Sequence, residues 1–131
     1  MSKELEFSNE MMIVSETCPK GLINYANEDF ITLSEYNKEE LKGQPHSILR
    51  HYDMPKAAFK DLWDTVKSGK TWNGIVKNMT KNGNYYWVNA TVYKSKDNNG
   101  NERLISVRVK PTKEEVLNAQ ELYKKLRASE R

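Results

Sequence analysis

Cysteine is nearly absent from this chain, which holds Cys18 and no other among its 131 residues. A single thiol excludes an internal disulfide and any metal site that is built from several cysteines. Its scarcity is compatible with a reducing compartment. At this length the chain fits one domain, large enough to bury one core or to enclose one ligand pocket.

Long hydrophobic runs are absent as well. Nowhere do about 18 apolar residues follow one another, so the sequence holds no membrane-spanning segment. The opening residues, MSKELEFSNE, carry charge of both signs and no apolar run, which excludes a secretory signal there. We therefore expect a soluble cytoplasmic domain that does not insert directly into a membrane.

An excess of one charge is also lacking. The chain has 21 basic and 18 acidic residues, for a net charge of +3, and the two signs alternate along the sequence instead of forming blocks. The basic string YKKLR near the end is typical of a helix terminus that complements its own dipole. We therefore expect no nucleic-acid partner.

The apolar pattern predicts five strands. Two short runs come first and three longer ones follow, over residues 11–17, 22–27, 71–79, 85–94 and 103–110. The strings KNGN and DNNGN separate the last three runs, and both are rich in residues that accept positive φ. The economical arrangement is an antiparallel three-stranded meander, which the first two strands complete into one five-stranded antiparallel sheet.

Helical patterns fill the segment between the second and third strands. The strings NEDFITLSEY and NKEELKG predict two short helices, and Asn37 with Glu40 forms a capping box for the second. From Asp53 onward an apolar stripe predicts one longer helix, with Asp53 as its N-cap and Pro55 in its first turn. These helices are expected over one face of the sheet, so the predicted fold class is α+β.

A last helix is predicted over Thr112–Arg127. Thr112 and Glu115 form a capping box, and Pro111 stops the strand before it. Apolar residues then recur on one face of this helix. Two ways of burying that face remain open: against the outer face of the sheet, or against another chain.

The string GQPHSILRHYDMPKAAF, residues 43–59, combines two histidines, an arginine and an aspartate. His46 and His51 alone would be ordinary loop residues, and Asp53 alone a helix cap. Arg50 and His51, however, stand side by side before a helix N-terminus, where two cationic groups and the helix dipole favour an anion. The string therefore predicts the place at which an anionic group is held.

Small residues in the predicted strands indicate how the interior is filled. Alternation places Trp72 on one face with Gly74, Val76 and Asn78, while Ala90 lies between two valines of the next strand. Small residues beneath a helical cover indicate either an internal cavity or thick helices over the sheet. Both interpretations remain open at this stage.

A hollow interior would have a definite lining. It would be mainly apolar, with Trp63 and Trp72 at its edges, the Asn78 amide inside, and Arg50 with His51 at its mouth. Trp63 taken alone is more simply explained as core. A flat aromatic ring with a phosphate tail fits such a cavity. Ring stacking contributes about 0.5–1.5 kcal/mol beyond the burial of apolar area, and arginine binds phosphate through two parallel hydrogen bonds. A flavin dinucleotide is one such molecule, and haem with a histidine on its iron is another.

Three strings carry a family resemblance: GQPHSILRHYDMPKAAFKDLW, GKTWNGIVKNMTKNGNYYWVNATV and EEVLNAQELYKKL. On these strings the sequence closely resembles the sensory PAS domain of the Aer/CetB aerotaxis (energy taxis) sensor family. The resemblance extends from about Ile23 to the end, and the order of the predicted elements is also that of a PAS domain. The resemblance implies an N-terminal extension over residues 1–10, a PAS sensory domain over 11–111, and a C-terminal signalling or docking helix over 112–131.

In that family the PAS domain binds FAD non-covalently. The resemblance implies flavin-site roles for Arg50, His51, Asp53, Trp72, Asn27 and His46. The sequence departs from the family pattern at Tyr52, where proline is usual, at Glu35, where glycine is usual, and at Met79, where a basic residue is common.

The family reports the redox or energy state of the cell to a chemotaxis transducer. The resemblance therefore implies an FAD-binding redox or oxygen sensor that signals to a HAMP-containing, methyl-accepting protein in cis or in trans, with membrane association only through that transducer. A PAS homodimer is a further expected partner. No nucleophile–base pair stands out, so we expect no enzyme.

Two other interpretations remain open, a haem-binding PAS sensor and a ligand-free PAS dimerisation module. A light sensor that forms a flavin adduct needs a cysteine on the helix near the ring. Cys18 is predicted in the first turn instead, which disfavours that class.

Overall fold

The computed structural model describes residues 2–130. Met1, the first residue of the predicted N-terminal extension, and Arg131, the last residue of the predicted C-terminal helix segment, lie outside the described residues. Within that range the chain forms five strands, four α-helices and one 3₁₀ helix. In chain order these are β1 (Ile13–Thr17), β2 (Ile23–Ala26), α1 (Glu28–Ser34), α2 (Lys38–Leu41), the 3₁₀ helix (His46–Leu49), α3 (Lys56–Lys67), β3 (Trp72–Met79), β4 (Tyr85–Lys96), β5 (Glu102–Val109) and α4 (Lys113–Ser129).

The five strands form one antiparallel sheet in the order β2-β1-β5-β4-β3. The predicted meander is confirmed, because β3 pairs with β4 and β4 pairs with β5. β1 joins the meander by pairing with β5, and β2 pairs with β1 at one edge. The predicted α+β class, with helices inserted between β2 and β3 and a further helix at the C-terminal end, is confirmed.

Local hydrogen bonds explain where the two short helices begin. Oδ1 of Asn27 accepts a hydrogen bond from the backbone N–H of Phe30 at 3.1 Å and caps α1. Asn37 and Glu40 form the predicted capping box at the start of α2. Each cap satisfies backbone N–H groups that have no partner within the helix, so these starts are encoded within a few residues.

Glu35 follows α1 at a position where the resembled family usually has glycine, and the backbone explains that preference. Its φ is 65°, in the left-handed region that costs a non-glycine residue about 1–2 kcal/mol. The Glu35 carboxylate offsets part of this cost, because it accepts hydrogen bonds from the Thr80 hydroxyl and the Asn84 amide. Glutamate at this position therefore ties the end of α1 to the turn between β3 and β4.

The start of α3 differs from the sequence-based expectation. The prediction that Asp53 caps this helix is wrong, because the N-cap is Pro55, which has no side-chain acceptor. The Asp53 carboxylate instead accepts a hydrogen bond from Nζ of Lys77 on β3 at 2.8 Å. The cap comes from the other end of the chain: the Glu130 carboxylate accepts hydrogen bonds from the first two backbone N–H groups of α3, at 3.0 and 2.9 Å.

α4 packs against its own chain on the β3–β4 side of the sheet. Its predicted capping box between Thr112 and Glu115 is present. The Glu115 carboxylate also accepts a hydrogen bond from the Asn89 amide on β4 at 3.0 Å. Farther along the helix, the Tyr123 hydroxyl donates to the backbone carbonyl of Ile75 on β3. Of the two ways of burying the apolar face, the structure shows packing on the chain's own domain for Ala119 and Tyr123, while Leu122 of the same helix remains exposed.

Residues before β1 also pack on the sheet. The backbone N–H of Leu5 donates to the carbonyl of Tyr85 at 2.7 Å, and the N–H of Tyr85 donates to the carbonyl of Lys3 at 3.0 Å. The rings of Phe7 and Tyr86 meet edge to face, with 6.3 Å between their centroids. This segment therefore lies alongside the first residue of β4 and adds one aromatic ring to the core.

Candidate functional site

The sheet and α3 enclose a cavity of about 290 Å³. Its floor is the inner face of β3, β4 and β5, and its apolar lining there consists of Val76, Ala90, Val92 and Leu104. α3 covers it, and the β1–β2 turn and the 3₁₀ helix close its sides. Its volume is at the lower end of the range for ligand pockets, which is about 300–1,000 Å³. The interior is therefore hollow beneath the helical cover.

Ala90 and Gly74 are small for different reasons. Ala90 lines the cavity, so its size leaves room inside it. Gly74 lies beneath the ring of Trp72, and a Cβ at position 74 would be only 2.4 Å from Cη2 of that ring. Glycine at this position is thus required by the close approach of a side chain of the protein itself. Only Ala90 indicates space for a ligand.

Two tryptophans border the cavity. The indole Nε1 of Trp72 donates a hydrogen bond to Oδ2 of Asp61 on α3 at 2.8 Å, which anchors the ring against the long helix. Trp63 borders the cavity from α3 and reaches Gly21 in the β1–β2 turn, where a Cβ would be 3.4 Å from Cζ2 of Trp63. Aromatic walls of this kind suit a flat apolar ligand.

Arg50 and Asn78 lie together on the cavity wall. They form a backbone bridge that ties the segment after the 3₁₀ helix to β3. Asn78 is buried and lines the cavity. The guanidinium carbon of Arg50 lies 3.7 Å from the centroid of the Phe59 ring, a cation–π contact that orients the charge. Because Arg50 is exposed, it marks the side on which the cavity meets solvent.

A buried arginine that the sequence patterns did not single out lines the same cavity. Arg108 is 2% exposed. Its Nη1 donates to Nε2 of His46 and its Nη2 donates to Oγ of Ser15, both at 2.8 Å. The Phe30 ring centroid lies 4.5 Å from the guanidinium carbon. Among residues 2–130, nothing accepts a hydrogen bond from Nε of Arg108, and no carboxylate lies within ion-pair distance of it.

One sequence signal could have found this residue. β5 contains the string LISVRV, in which alternation puts Leu104, Ser106 and Arg108 on the same face. That face is the inner one, since all three residues line the cavity. An arginine on the inner face of a central strand is unusual, because charged side chains are almost never fully buried without a partner.

The charge states of this cluster follow from its surroundings. Burial, and then the positive charge of Arg108, lower the pKa of His46 to about 3. The surface of His46 that stays accessible faces the cavity, and protein atoms surround the rest of the ring, so burial is still the main cause of the lowered pKa. Burial lowers the pKa of Arg108 to about 10. At neutral pH the imidazole is therefore neutral and accepts through Nε2, while the guanidinium keeps its positive charge at the cavity.

His51 and Asp53 follow Arg50 in the sequence but do not line the cavity. Nδ1 of His51 accepts a hydrogen bond from the backbone N–H of Asp53 at 3.0 Å, and the His51 ring packs on Tyr52 with 4.2 Å between centroids. Burial, and then the charge of Lys77, lower the pKa of His51. Of the expected basic pair, only Arg50 borders the cavity. His51 and Asp53 instead contact Lys77 on β3, through the backbone N–H of His51 and the carboxylate of Asp53.

Asn27 also lies apart from the cavity. Besides capping α1, its Oδ1 accepts from the backbone N–H of Val14 at 3.0 Å, and its Nδ2 donates to the carbonyl of Met12 at 2.8 Å. Its amide is thus used to join β1 to α1. The predicted site residues that do line the cavity are His46, Arg50, Trp63, Trp72 and Asn78.

Residues 2–130 hold no cluster of three or more His, Cys, Asp or Glu side chains that could bind a metal ion. Across the same residues, no helix has both the length and the apolar character needed to span a bilayer.

Known families and proteins resemble this chain over most of its length. The family model described as PAS fold matches residues 23–108. The aerotaxis receptor of Escherichia coli is 42% identical over 121 residues, which make up 92% of this chain and 24% of the receptor. The biofilm dispersion protein BdlA of Pseudomonas aeruginosa is 32% identical over 90 residues, 68% of this chain and 21% of that protein. The chain thus spans about a quarter or less of these relatives.

Solved structures of light-oxygen-voltage (LOV) domains share the fold. The dark structure of the blue-light photoreceptor Aureochrome1 LOV matches with a TM-score of 0.67 at 19% identity, covering 92% of this chain and 86% of that one. A light-oxygen-voltage domain studied with a flavin analogue matches with a TM-score of 0.68 at 21% identity, covering 92% and 87%. At these identities the likeness shows the fold alone.

Proposed function

The chain belongs to the PAS-fold family, and on this premise we propose that residues 11–111 form a cytoplasmic sensory domain that binds FAD non-covalently. The domain senses a redox or oxygen signal and reports the energy state of the cell to a chemotaxis transducer. Likeness to an aerotaxis receptor supports this role. Because the chain spans only part of that receptor, the activity and the partner both belong to the proposal.

The observation that carries the proposal is the charge of Arg108 at the cavity. Burying a cation away from water is costly unless a partner compensates it, and a protein that needs only a filled core gains nothing from arginine there. Among the described residues the guanidinium has two neutral acceptors, His46 and Ser15. A ligand with electron-rich oxygen and nitrogen atoms would provide the remaining compensation. The isoalloxazine ring of a flavin carries such atoms at one edge of a flat apolar ring system.

The remaining lining fits the same ring. The sheet offers a flat apolar floor around Ala90, Trp63 and Trp72 offer aromatic walls, and Asn78 offers a buried amide. A volume of about 290 Å³ suits the ring system rather than a whole dinucleotide. The phosphates would therefore lie at the exposed side, where Arg50 can bind them through two parallel hydrogen bonds.

The side chains at the cavity define how a signal would arise. Bound FAD supplies an electron-accepting ring whose charge and protonation at N1 and N5 change on reduction. Arg108 favours the more negative state of a neighbouring ring, and neutral His46 keeps the guanidinium in place. The Asn78 amide can turn either its oxygen or its NH₂ group toward the ring. A tenfold change in partner affinity needs only about 1.4 kcal/mol, so a rearrangement of one or two hydrogen bonds is sufficient.

Other parts of the chain have proposed roles around this site. His51 and Asp53 would support flavin binding indirectly, because they hold the segment after Arg50 against Lys77 of β3. Asn27 would do so by joining β1, which carries Ser15, to α1. Residues 112–131 would pass the signal to a transducer in cis or in trans, and a PAS homodimer is a second proposed contact. We propose no catalytic reaction, because the base at the cavity, His46, already accepts a hydrogen bond from Arg108.

Haem is less well supported by the geometry. Nε2 of His46 already accepts a hydrogen bond from Arg108, so it has no free lone pair for iron. His51 does not line the cavity. A ligand-free dimerisation module gives no reason for a buried cation beside a hollow, so it too is less well supported.

The absorption spectrum of protein purified with added FAD tests the proposal. We expect a yellow protein with flavin bands that bleach on reduction, whereas a Soret band would identify haem. Trp72→Ala and Arg50→Ala should each weaken FAD binding at least about tenfold, or 1.4 kcal/mol. Lys96→Ala, at the exposed end of β4, is the control and should bind as the wild type does. Colourless protein that shows no binding in an FAD titration would overturn the proposal.

A further inference from the structure

The indole of Trp72 separates two spaces in the molecule. On one side lies the cavity described above. On the other side an open groove runs between α3, β3 and α4. Trp72 lines both spaces, and the groove is bordered on its far side by α4 residues that include Ala119 and Tyr123. The ring is therefore a wall that the cavity and the C-terminal helix share.

Asp61 determines where this wall stands. Trp72 is 7% exposed, so its N–H requires an acceptor within the protein, and Oδ2 of Asp61 provides it at 2.8 Å. Gly74 leaves the ring free to lie flat on the strand, since a Cβ there would clash with it. Asp61 itself borders the groove together with Tyr123, not the cavity.

We propose that Asp61 is a positioning residue that holds the Trp72 indole across the boundary between the cavity and the groove, so that the contents of the cavity and the packing of α4 depend on one side chain. A ligand that presses on or withdraws from the cavity face of the ring would move one wall of the groove that α4 also lines. Tyr123 strengthens this connection, because its hydroxyl binds the carbonyl of Ile75 on the same strand as Trp72.

This positioning role extends the proposed function. It rests on that function only for the identity of the ligand in the cavity. It needs no direct contact between α4 and the ligand. The connection passes from the cavity through the Trp72 ring to α4, and Asp61 sets the resting position of that ring. Loss of the Asp61 acceptor should therefore disturb α4 even when the cavity holds no cofactor.

The first test uses the ¹⁵N-labelled, cofactor-free chain of 131 residues. Three indole N–H signals are expected, and Trp72→Phe identifies the one from Trp72. In Asp61→Leu that signal should lose the downfield shift of a hydrogen-bonded N–H, and it should exchange with water at least about tenfold faster. Asp61→Asn should retain both properties, because the amide oxygen can accept the same hydrogen bond.

The second readout is amide hydrogen exchange along α4. In Asp61→Leu, exchange over residues 116–126 should rise at least about tenfold, while the amides of β1 and β5 keep their wild-type rates. The matched control is Asp64→Leu, one turn farther along α3, where the carboxylate is exposed and pairs with Lys60. This control should leave α4 unchanged. Equal acceleration in every element would mean a general loss of stability and would overturn the positioning role.

Trp72→Phe provides a second route that does not depend on how well Asp61→Leu folds. It removes the N–H donor and keeps an aromatic ring, so α4 should loosen as it does in Asp61→Leu. The double variant should show no more than the larger single effect, since both changes break one interaction. Additive effects, or wild-type exchange in α4 for either single variant, would overturn the proposal.

An FAD titration separates this role from the proposed function. If the wild type binds FAD, Asp61→Leu should weaken binding at least about tenfold, and Asp61→Asn should do so by less than about threefold. FAD binding to Asp61→Leu at the wild-type affinity would overturn the part of the role that concerns the cavity. If the wild type binds no FAD, the proposed function is wrong, while the NMR and exchange results still decide whether Asp61 positions the wall.

Discussion

Nε2 of His46 accepts a hydrogen bond from Nη1 of Arg108 at 2.8 Å, across a separation of 62 residues. Because a guanidinium can only donate, this contact places the imidazole proton on Nδ1 and excludes a proton on Nε2. It therefore joins a neutral base to a buried cation at the centre of the protein. Both the pH dependence of folding and the affinity for a ligand should depend on this pair.

The pH dependence of stability should reveal the neutral state of His46. Its pKa is lowered to about 3 in the folded protein, whereas histidine in an unfolded chain has a pKa near 6.5. Between these values the unfolded state binds a proton that the folded state does not. Stability should therefore fall as the pH falls below about 6.5, by up to about 1.4 kcal/mol per pH unit.

His46→Gln tests this dependence, because glutamine keeps an acceptor for Arg108 and does not titrate. The difference in unfolding free energy between about pH 7 and about pH 5, measured by urea titration, should be smaller in the variant than in the wild type. The carboxylates contribute equally to both proteins, so the comparison isolates His46. An identical difference in the two proteins would show that this histidine does not titrate on unfolding.

Arg108 should contribute to ligand binding at the expense of stability. Arg108→Met removes the buried charge, so the free energy of unfolding without ligand should stay constant or rise by about 1–4 kcal/mol. FAD affinity should fall at least about tenfold. Arg103→Met is the control on the same strand, since Arg103 pairs with Glu16 instead of lining the cavity. Tight FAD binding by Arg108→Met, in calorimetric titrations, would remove the main support for the proposed function.

Filling the cavity should abolish binding without unfolding the protein. Ala90→Leu places three additional carbon atoms in a space that Ala90 now leaves open, so stability should be unchanged or raised by about 0.5–2 kcal/mol. FAD should no longer copurify with this variant. Thermal unfolding and absorption spectra check the two effects, and full flavin occupancy in a folded Ala90→Leu protein would place the ligand elsewhere.

The contact between Glu130 and α3 should hold the end of α4. The hydrogen bonds to the backbone of Ala57 and Lys56 lower the pKa of Glu130, so the contact is present above the ordinary pKa of glutamate and weakens as the pH falls through the lowered value. Glu130→Ala should speed amide exchange at those two residues several-fold. Glu121→Ala, at an exposed position of α4, is the control and should leave the amide exchange of those two residues unchanged. Equal exchange in both variants would mean that the cap does not form in solution.

Features that depend on neighbouring residues were predictable from the sequence. Strand alternation put Trp72, Val76 and Asn78 on one face, and all three line the cavity. The capping boxes at Asn37 and Thr112 are present as predicted, because each joins residues only three positions apart. Such interactions require no knowledge of where other elements lie.

Features that depend on distant elements were not predictable in this way. Asp53 follows the sequence rule for a helix cap, but Lys77 from β3 approaches it and takes its carboxylate. The small size of Gly74 left open a cavity or a thick helical cover, and the structure shows instead the ring of Trp72 above it, held by Asp61 on α3. In both cases the deciding side chain, Lys77 for Asp53 and Asp61 for the ring of Trp72, comes from an element that the local pattern does not include.

The sequence by itself determined the strands, the helices and the faces on which their side chains lie, because backbone geometry repeats every two or 3.6 residues and caps act within one turn. Only the tertiary structure decided that Arg108 reaches His46, that Asp61 holds Trp72, and that the space between them stays open. Each of these contacts joins two different elements of the fold, and local sequence patterns do not specify how two elements pack. In a close-packed interior the position of each side chain depends on the side chains around it.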